Sequence, residues 1–199
     1  MGIEKPESGS MEIIATKPIE WRIILIRLVA LFATLSATIV MVLNKESKTF
    51  VIATVGTKPV TATITAKFQH TPANVFFVIA NGMASLHNFL MIVMAICLRK
   101  CDFRGLRSVY IAVSDMLNVA LVSAGVNAAA FMAELAKNGN THARWNEICS
   151  NFDTFCDHGA GALISSFIGV GFMLVISIIS ILSLHKPVAV ADRPVVPHV

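Results

Sequence analysis

Three ionisable side chains lie within long apolar stretches of the sequence, where a charge is costly: Arg27, His87 and Asp115. A charged group inside a membrane-spanning helix costs at least about 2.5–3.5 kcal/mol on insertion scales, unless a partner compensates it. Arg27 and Asp115 are the buried base and the buried acid of these stretches, so an intramembrane ion pair is the economical arrangement. The alternative is that the long side chain of Arg27 reaches the lipid headgroups, which a short aspartate cannot do.

His87 lies near the middle of its apolar stretch, in "ANGMASLHN". A histidine at that depth could relay protons or bind a substrate. More often such a residue is neutral and hydrogen-bonded to a neighbouring helix, and we favour this interpretation. The candidate partners are Asn81, Asn88, Asn118 and Asn127. A channel or transporter that uses Arg27, His87 and Asp115 remains the alternative.

Cys149 and Cys156 are candidates for a disulfide, because the basic loop between the second and third spans is predicted to be cytoplasmic, which places "WNEICSNFDTFCDHG" outside the cytoplasm. Closing so short a loop contributes about 2–3 kcal/mol in the chain-entropy model. Two free thiols are the alternative. A zinc site is disfavoured, since structural zinc takes four ligands and only His142 and His158 lie nearby.

Four apolar stretches must position these groups. The chain has 199 residues, of which 55% are hydrophobic and 14% charged, and its mean hydropathy of +0.72 is typical of a membrane protein. Each stretch reaches the roughly 20 residues that a helix needs to cross a bilayer. The predicted spans are Arg22–Leu43, Asn74–Leu98, Ser108–Leu135 and Gly161–Leu184. We therefore predict an all-α membrane protein with a four-helix transmembrane bundle and short, flexible tails at 1–21 and 185–199.

The loop charges set the orientation of the bundle. The segment "RKCDFRGLR" between the second and third spans is densely basic, so the positive-inside rule places it in the cytoplasm, and four spans then place both termini there. Arg27 and Asp115 consequently share a depth, roughly 8–11 Å below the inner boundary at 1.5 Å per residue. The sequence pI near 9.0 reflects this topology and contact with anionic lipid. No basic stripe interleaved with aromatic residues suggests nucleic acid.

The first outer loop has the pattern of a β-hairpin. Apolar residues alternate with threonine in "FVIATVG" and "PVTATITAKF", and "GTKP" between them is turn-like. We predict a small extracellular antiparallel hairpin that stands on the membrane.

Small residues four positions apart predict close contacts between helices. The fourth span has Gly161, Ser165 and Gly169 at this spacing, and the third has Gly125 and Ala129. Such faces let helix backbones approach closely. They serve the internal bundle, a dimer or both, and the face of the fourth span is our first candidate for self-association.

From Trp21 to Leu184 the sequence resembles the plant Casparian strip membrane domain proteins and their CASP-like relatives. Arg27 in the first span and Asp115 in the third carry part of the resemblance, together with the second outer loop "AKNGNTHARWNEICSNFDTFCDHGAGALISSF". In that loop the residues that match the family pattern in order are Trp145, Cys149, Phe152, Cys156 and Gly161. The segment "TITAKFQHTPANVFFVIANG" is similar to type 1 CASP-like members and departs from the founding members.

The resemblance implies a non-enzymatic plasma-membrane scaffold with a MARVEL-like four-helix bundle. Such proteins assemble into stable membrane domains, and the founding members position wall-modifying peroxidases and form a membrane barrier. The implied partners are a second copy in a homodimer or higher oligomer, related family members in hetero-oligomers, membrane lipids and secreted wall-modifying enzymes. The residues agree on one negative point: the sequence contains no nucleophile–base pair, metal cluster or cofactor motif, so we predict no catalytic residue, cofactor or metal.

Two other classes of protein fit the sequence less well. A transporter would be expected to show a pair of broken helices or an internal repeat, and neither is evident. A claudin-like adhesion protein would share the four spans and the outer hairpin, but its disulfide belongs in the first outer loop rather than the second.

Overall fold

The computed structural model describes residues 9–97 and 104–184, with side chains described for 21–97 and 109–184. Its elements are helices α1 (Gly9–Leu43), α2 (Pro72–Cys97), α3 (Arg104–Asn138) and α4 (Asp153–Leu184), and strands β1 (Lys45–Val55) and β2 (Lys58–Lys67). All four helices are long and apolar enough to cross a membrane. The predicted fold class, a four-helix membrane bundle with a small hairpin, is confirmed.

The helices extend beyond the predicted spans. α1 is already helical at Gly9, within the tail that we expected to be flexible, and α4 begins at Asp153 rather than at Gly161. Predicted spans end where hydrophobicity ends, whereas a helix continues as long as its backbone hydrogen bonds are favourable. Asp153 in the first turn of α4 also interacts favourably with the partial positive charge of the helix N-terminus. Part of the predicted basic loop (98–103), the first eight residues and the tail 185–199 lie outside the described residues.

The four helices pack in a ring. Contacts run between α1 and α2, α2 and α3, α3 and α4, and α4 and α1, so α1 and α3 face each other across the bundle. The core combines large apolar side chains, such as Phe77, Val122 and Ile176, with alanines such as Ala30 and Ala37. Because lipid is as apolar as these side chains, close packing and hydrogen bonds, rather than the hydrophobic effect, hold the helices together.

The hairpin follows directly from the end of α1. Its antiparallel register runs from Lys45 opposite Lys67 to Val55 opposite Lys58, with a β-bulge between Val51 and Ala53. Gly56 in the turn has a φ of 63°, which glycine adopts without a steric penalty. We call this end of the bundle the hairpin end.

Candidate functional site

The centre of the bundle contains an ion pair between the two diagonal helices. Arg27 of α1 donates from Nη1 to Oδ1 of Asp115 at 3.0 Å and from Nη2 to Oδ2 at 2.6 Å. Both residues are buried, with 5% of Arg27 and 4% of Asp115 exposed. The planar guanidinium matches a carboxylate in this two-pronged geometry, which fixes orientation as well as distance. The structure thus brings together the two charges that the sequence paired.

The other two helices contribute to the same carboxylate. His87 Nε2 of α2 lies 2.9 Å from Oδ1 of Asp115, and Ser180 Oγ of α4 donates to Oδ2 at 3.1 Å. Ser114 Oγ lies 3.3 Å from the second ring nitrogen of His87. Because an ionised carboxylate only accepts hydrogen bonds, Nε2 of His87 donates in its contact with Asp115, and Nδ1 forms the contact with Ser114.

We call Arg27, His87, Ser114, Asp115 and Ser180 the central cluster. It draws on all four helices, and Asp115 accepts hydrogen bonds from three of them. The positive guanidinium of Arg27 and the negative carboxylate of Asp115 offset each other in the apolar interior. The arrangement can lock the relative positions of four helices, since each must stay in register for its donor to reach Asp115.

The structure corrects the expected partners of His87. The asparagines expected to bond to it instead donate to carbonyls one turn back on their own helices; these bonds are Asn81 to Phe77, Asn88 to Ala84, Asn118 to Ser114 and Asn127 to Ser123. The sequence also placed His87 nearer the middle of the bilayer than Asp115, whereas the structure brings their side chains to within 2.9 Å of each other.

Ser180 is a member of the central cluster that the sequence interpretation missed. Serine is common in membrane helices and usually bonds to its own backbone, so its residue type carried no signal. Its position did carry one. Ser180 lies close to the end of α4 that was predicted to face the cytoplasm, which is the depth predicted for Arg27 and Asp115.

A second group of polar contacts lies closer to the hairpin end. Ser166 of α4 donates to Oδ1 of Asn81 at 2.8 Å, and Ser85 donates to Thr34 of α1 at 2.9 Å. All four side chains are buried. These bonds join α2 to its neighbour α1 and, across the ring, to α4, so the central cluster is not the sole polar link between the described helices.

The small-residue faces pack inside the protomer. A Cβ on Gly169 would lie 2.9 Å from Cγ2 of Thr34, and Ser165 donates to the carbonyl of Ala33 at 3.0 Å, so this face of α4 lies against α1. Gly169 and Ser165 are therefore packed against α1, which corrects the alternative that this face packs against the third span, whereas self-association through this face stays a prediction. Gly161, by contrast, has no neighbour within 4 Å of the position of a Cβ.

The corresponding face of α3 packs against α2. A Cβ on Gly125 would lie 3.0 Å from that of Ala80, and Ala129 is 1% exposed. Of the two uses left open for these faces, packing within the bundle is the one that the structure displays for Gly125, Ala129 and Gly169.

The predicted disulfide between Cys149 and Cys156 is confirmed, with the two Cα atoms 5.7 Å apart. It ties the loop after α3 to the first turn of α4. Within this loop Phe152 is buried, and its carbonyl accepts a hydrogen bond from the backbone N–H of Cys156 at 3.1 Å. The loop is therefore fixed by the disulfide and by the burial of Phe152.

One face of β1 docks on this loop and on the first turn of α4. Glu46 accepts a hydrogen bond from the backbone N–H of Phe155 at 2.8 Å, Lys48 contacts Asp153 at 2.9 Å, and the Phe50 ring meets that of Phe152 edge-on at 6.1 Å. These three β1 residues alternate along the strand, so their side chains share one face. The hydrogen bond to Asp153, and then the one to Glu46, raises the pKa of the exposed Lys48 ammonium.

A cavity of about 510 Å³ lies beneath the disulfide loop. Its walls include Ala129 and Ala133 of α3, Leu163 of α4, Met41 of α1 and the disulfide itself. The lining is mostly apolar, so the cavity can hold a small apolar group at the hairpin end of the bundle.

Four apolar helices around a buried polar cluster, capped at one end by a hairpin and a disulfide loop, define a multi-pass, four-span membrane protein. Comparison with known proteins identifies the family within this class. The Casparian strip membrane protein domain matches residues 16–172, and the chain belongs to this family.

Curated plant relatives match most of the chain. CASP-like protein 1B2 of Populus trichocarpa is 59% identical, over 91% of this chain and 90% of the relative. CASP-like protein 1B2 of Arabidopsis thaliana is 61% identical over 81% of this chain and 82% of the relative, and that of Vitis vinifera 54% over 93% of each. No solved structure matches the chain.

Proposed function

We propose that this protein is a plasma-membrane scaffold that self-associates into membrane domains and recruits wall-modifying enzymes to its outer surface. In this proposal both termini lie in the cytoplasm and the hairpin end lies outside. The observation that carries it is the convergence of four helices on Asp115, because a cluster built in this way fixes the shape of the bundle. Membership in a family of scaffold-type proteins, rather than of known enzymes, supports the same role.

A scaffold must hold a constant shape on its partner-facing side. Here the hairpin docks through Glu46, Lys48 and Phe50 onto a loop that a disulfide closes, so the two outer segments form one platform. The platform is joined to the bundle by the Asn44 side chain, which donates to the carbonyl of Phe155 at 2.7 Å. Recruitment of a wall-modifying enzyme would use this platform.

Self-association would use lipid-facing helix surfaces. Gly161 is the member of the predicted set with open space around it, and we propose it as a contact between protomers or between related family members. Replacement by leucine would hold two backbones apart. Gly82 of α2 has equally open surroundings and provides a matched control on another helix.

The test measures size and mobility in the membrane. The wild type should recover slowly after photobleaching and cross-link in native membranes, Gly161→Leu should cross-link less, and Gly82→Leu should behave as the wild type. A small, freely diffusing wild type would refute the scaffold. Equal cross-linking of both variants would refute the role of Gly161 but would leave the scaffold proposal standing.

A transport function is the second candidate, because Arg27 and His87 both contact Asp115 inside the bundle. Such a row of ionisable groups is found along proton and ion pathways. Proteoliposomes that hold the purified protein distinguish the two functions. Proton or ion flux that is lost in His87→Ala would favour transport, whereas no flux above empty liposomes would remove it.

A further inference from the structure

The face of the hairpin that turns away from the disulfide loop carries a ladder of hydroxyl groups. Ser47 lies opposite Thr65, and Thr49 lies opposite Thr63. The hydroxyls within each pair are 2.8 Å and 2.9 Å apart. Thr61 extends the row along β2. Since alternate residues share a face of a strand, these side chains lie on the side opposite Glu46, Lys48 and Phe50, and we call them the hydroxyl face.

The hydroxyl face is open to ligands. Ser47, Thr49, Thr61 and Thr63 are exposed, and Thr65 is half-buried. A pair of hydroxyls that bond to each other uses only one of its two O–H donors, so each pair keeps a donor and acceptor sites for a partner. The ladder therefore offers repeated, bidirectional hydrogen bonding along the strand.

Two lysines lie at the end of this face that is nearest to the helices. Lys45 and Lys67 lie directly opposite each other in the register, and the alternation places them on the same side as the hydroxyls. Like charges in this position destabilise a hairpin. Over the side chains that the structure describes, the ion pairs are those of Arg27, Lys48 and His87, and no carboxylate pairs with Lys45 or Lys67. The pair therefore leaves two positive charges available to an anionic partner outside the protomer.

We propose that the hydroxyl face, together with Lys45 and Lys67, binds an acidic polysaccharide. Such a polymer supplies carboxylates for the two ammonium groups and hydroxyls for the ladder. The inference rests on the proposed function in one respect, that the hairpin lies on the outer side of the membrane. It gives the scaffold a direct attachment to an anionic matrix.

The dimensions and charges separate this partner from two others. From Lys67 to Thr61 the row extends roughly 20 Å at about 3.3 Å per residue, so an extended chain fits it better than a single lipid headgroup does. A second copy of the hairpin would place lysines against lysines. An acidic, hydroxyl-rich polymer complements both the charge and the hydrogen-bonding groups.

The binding test uses the full chain in lipid nanodiscs of neutral lipid, with polygalacturonate as the probe. We expect salt-sensitive binding of polygalacturonate and none of a neutral glucan. Lys45→Gln combined with Lys67→Gln should weaken binding roughly three- to tenfold, as expected for two exposed ion pairs. Thr61→Val with Thr63→Val keeps the β-branched shape, and it should weaken binding while leaving its salt dependence unchanged.

Lys137→Gln is the matched control, because this exposed lysine ends α3 on the same side of the bundle and lies off the hairpin. It should leave binding at the wild-type level. Equal weakening by Lys137→Gln would show general charge attraction and overturn the proposal. Preference for anionic lipid vesicles over polygalacturonate, or hairpin-dependent dimers in place of polymer binding, would also overturn it.

The same samples separate this inference from the scaffold. A wild type that forms slow-moving domains but ignores polygalacturonate refutes the binding site alone. A wild type that binds the polymer but diffuses freely in the membrane refutes the scaffold alone. Formation of the Cys149–Cys156 disulfide in each variant verifies that the platform still folds.

Discussion

Asp115 is the single residue on which the described helices converge, so its substitution tests the central cluster. Asp115→Asn keeps the shape of the side chain but leaves the buried guanidinium of Arg27 unpaired. Removal of one partner of a buried ion pair costs about 3–5 kcal/mol, so we expect a lower midpoint of thermal unfolding in detergent and reduced surface delivery.

The double variant Arg27→Leu with Asp115→Leu removes both charges and should recover part of this loss, because an apolar pair leaves no uncompensated charge. The double-mutant cycle measures the coupling between the two residues. Strictly additive losses of stability would contradict the ion pair.

His87 should matter less than Arg27. Its replacement by alanine removes one hydrogen bond from a carboxylate that keeps those from Arg27 and Ser180. Hydrogen bonds between membrane helices contribute about 0.6 kcal/mol on average and at most about 1.7, so His87→Ala should lower the unfolding free energy by that order. Chemical unfolding of the purified variants measures it. A loss as large as that of Asp115→Asn would show that His87 has a role beyond this hydrogen bond.

Among the secondary-structure elements, the four helices were predictable from the lengths of the apolar stretches, because a helix must be long and apolar to cross a bilayer. The same criterion could not place the start of α4 at Asp153, since that turn is stabilised by the disulfide and by contacts with β1. The hairpin followed from alternation and turn residues. Its docking on the second loop depends on the position of Phe50 against Phe152, which no local pattern encodes.

The sequence predicted that helices approach closely, but it did not predict which helices contact each other. Small residues at four-residue spacing predicted close approach of helices, which Gly125 and Gly169 display and Gly161 does not, and the spacing is the same for contact with any helix. The structure places Gly169 against Thr34 of α1. That pairing depends on the ring order of the helices, which the sequence of each span alone does not contain.

Gly169→Leu tests this packing. Since even a Cβ would lie 2.9 Å from Thr34 Cγ2, a leucine must push α1 and α4 apart. Overpacking costs about 1–3 kcal/mol, so the variant should be recovered in lower yield and unfold at lower temperature. Gly82→Leu faces open space and should unfold as the wild type does. If Gly169→Leu folds normally and loses only cross-linking between protomers, this face lies between copies instead.

For the protein as a whole, the membrane topology decides whether the hairpin end faces the outside of the cell or the cytoplasm. The cysteines can test this orientation. The disulfide and the hairpin lie at one end of the bundle, whereas the exposed Cys97 ends α2 at the other.

If the hairpin end is outside, a membrane-impermeant thiol reagent should not label Cys149 or Cys156 in intact cells, because both thiols are consumed in the bond. A reductant should expose both to the reagent, while Cys97 should react only after the membrane is permeabilised. Mass-shift labelling of one variant that keeps Cys97 alone, and of another that keeps the Cys149–Cys156 pair alone, assigns each signal. Labelling of Cys149 or Cys156 without reductant would contradict the disulfide in cells, and labelling of Cys97 in intact cells would invert the topology and place the hydroxyl face in the cytoplasm.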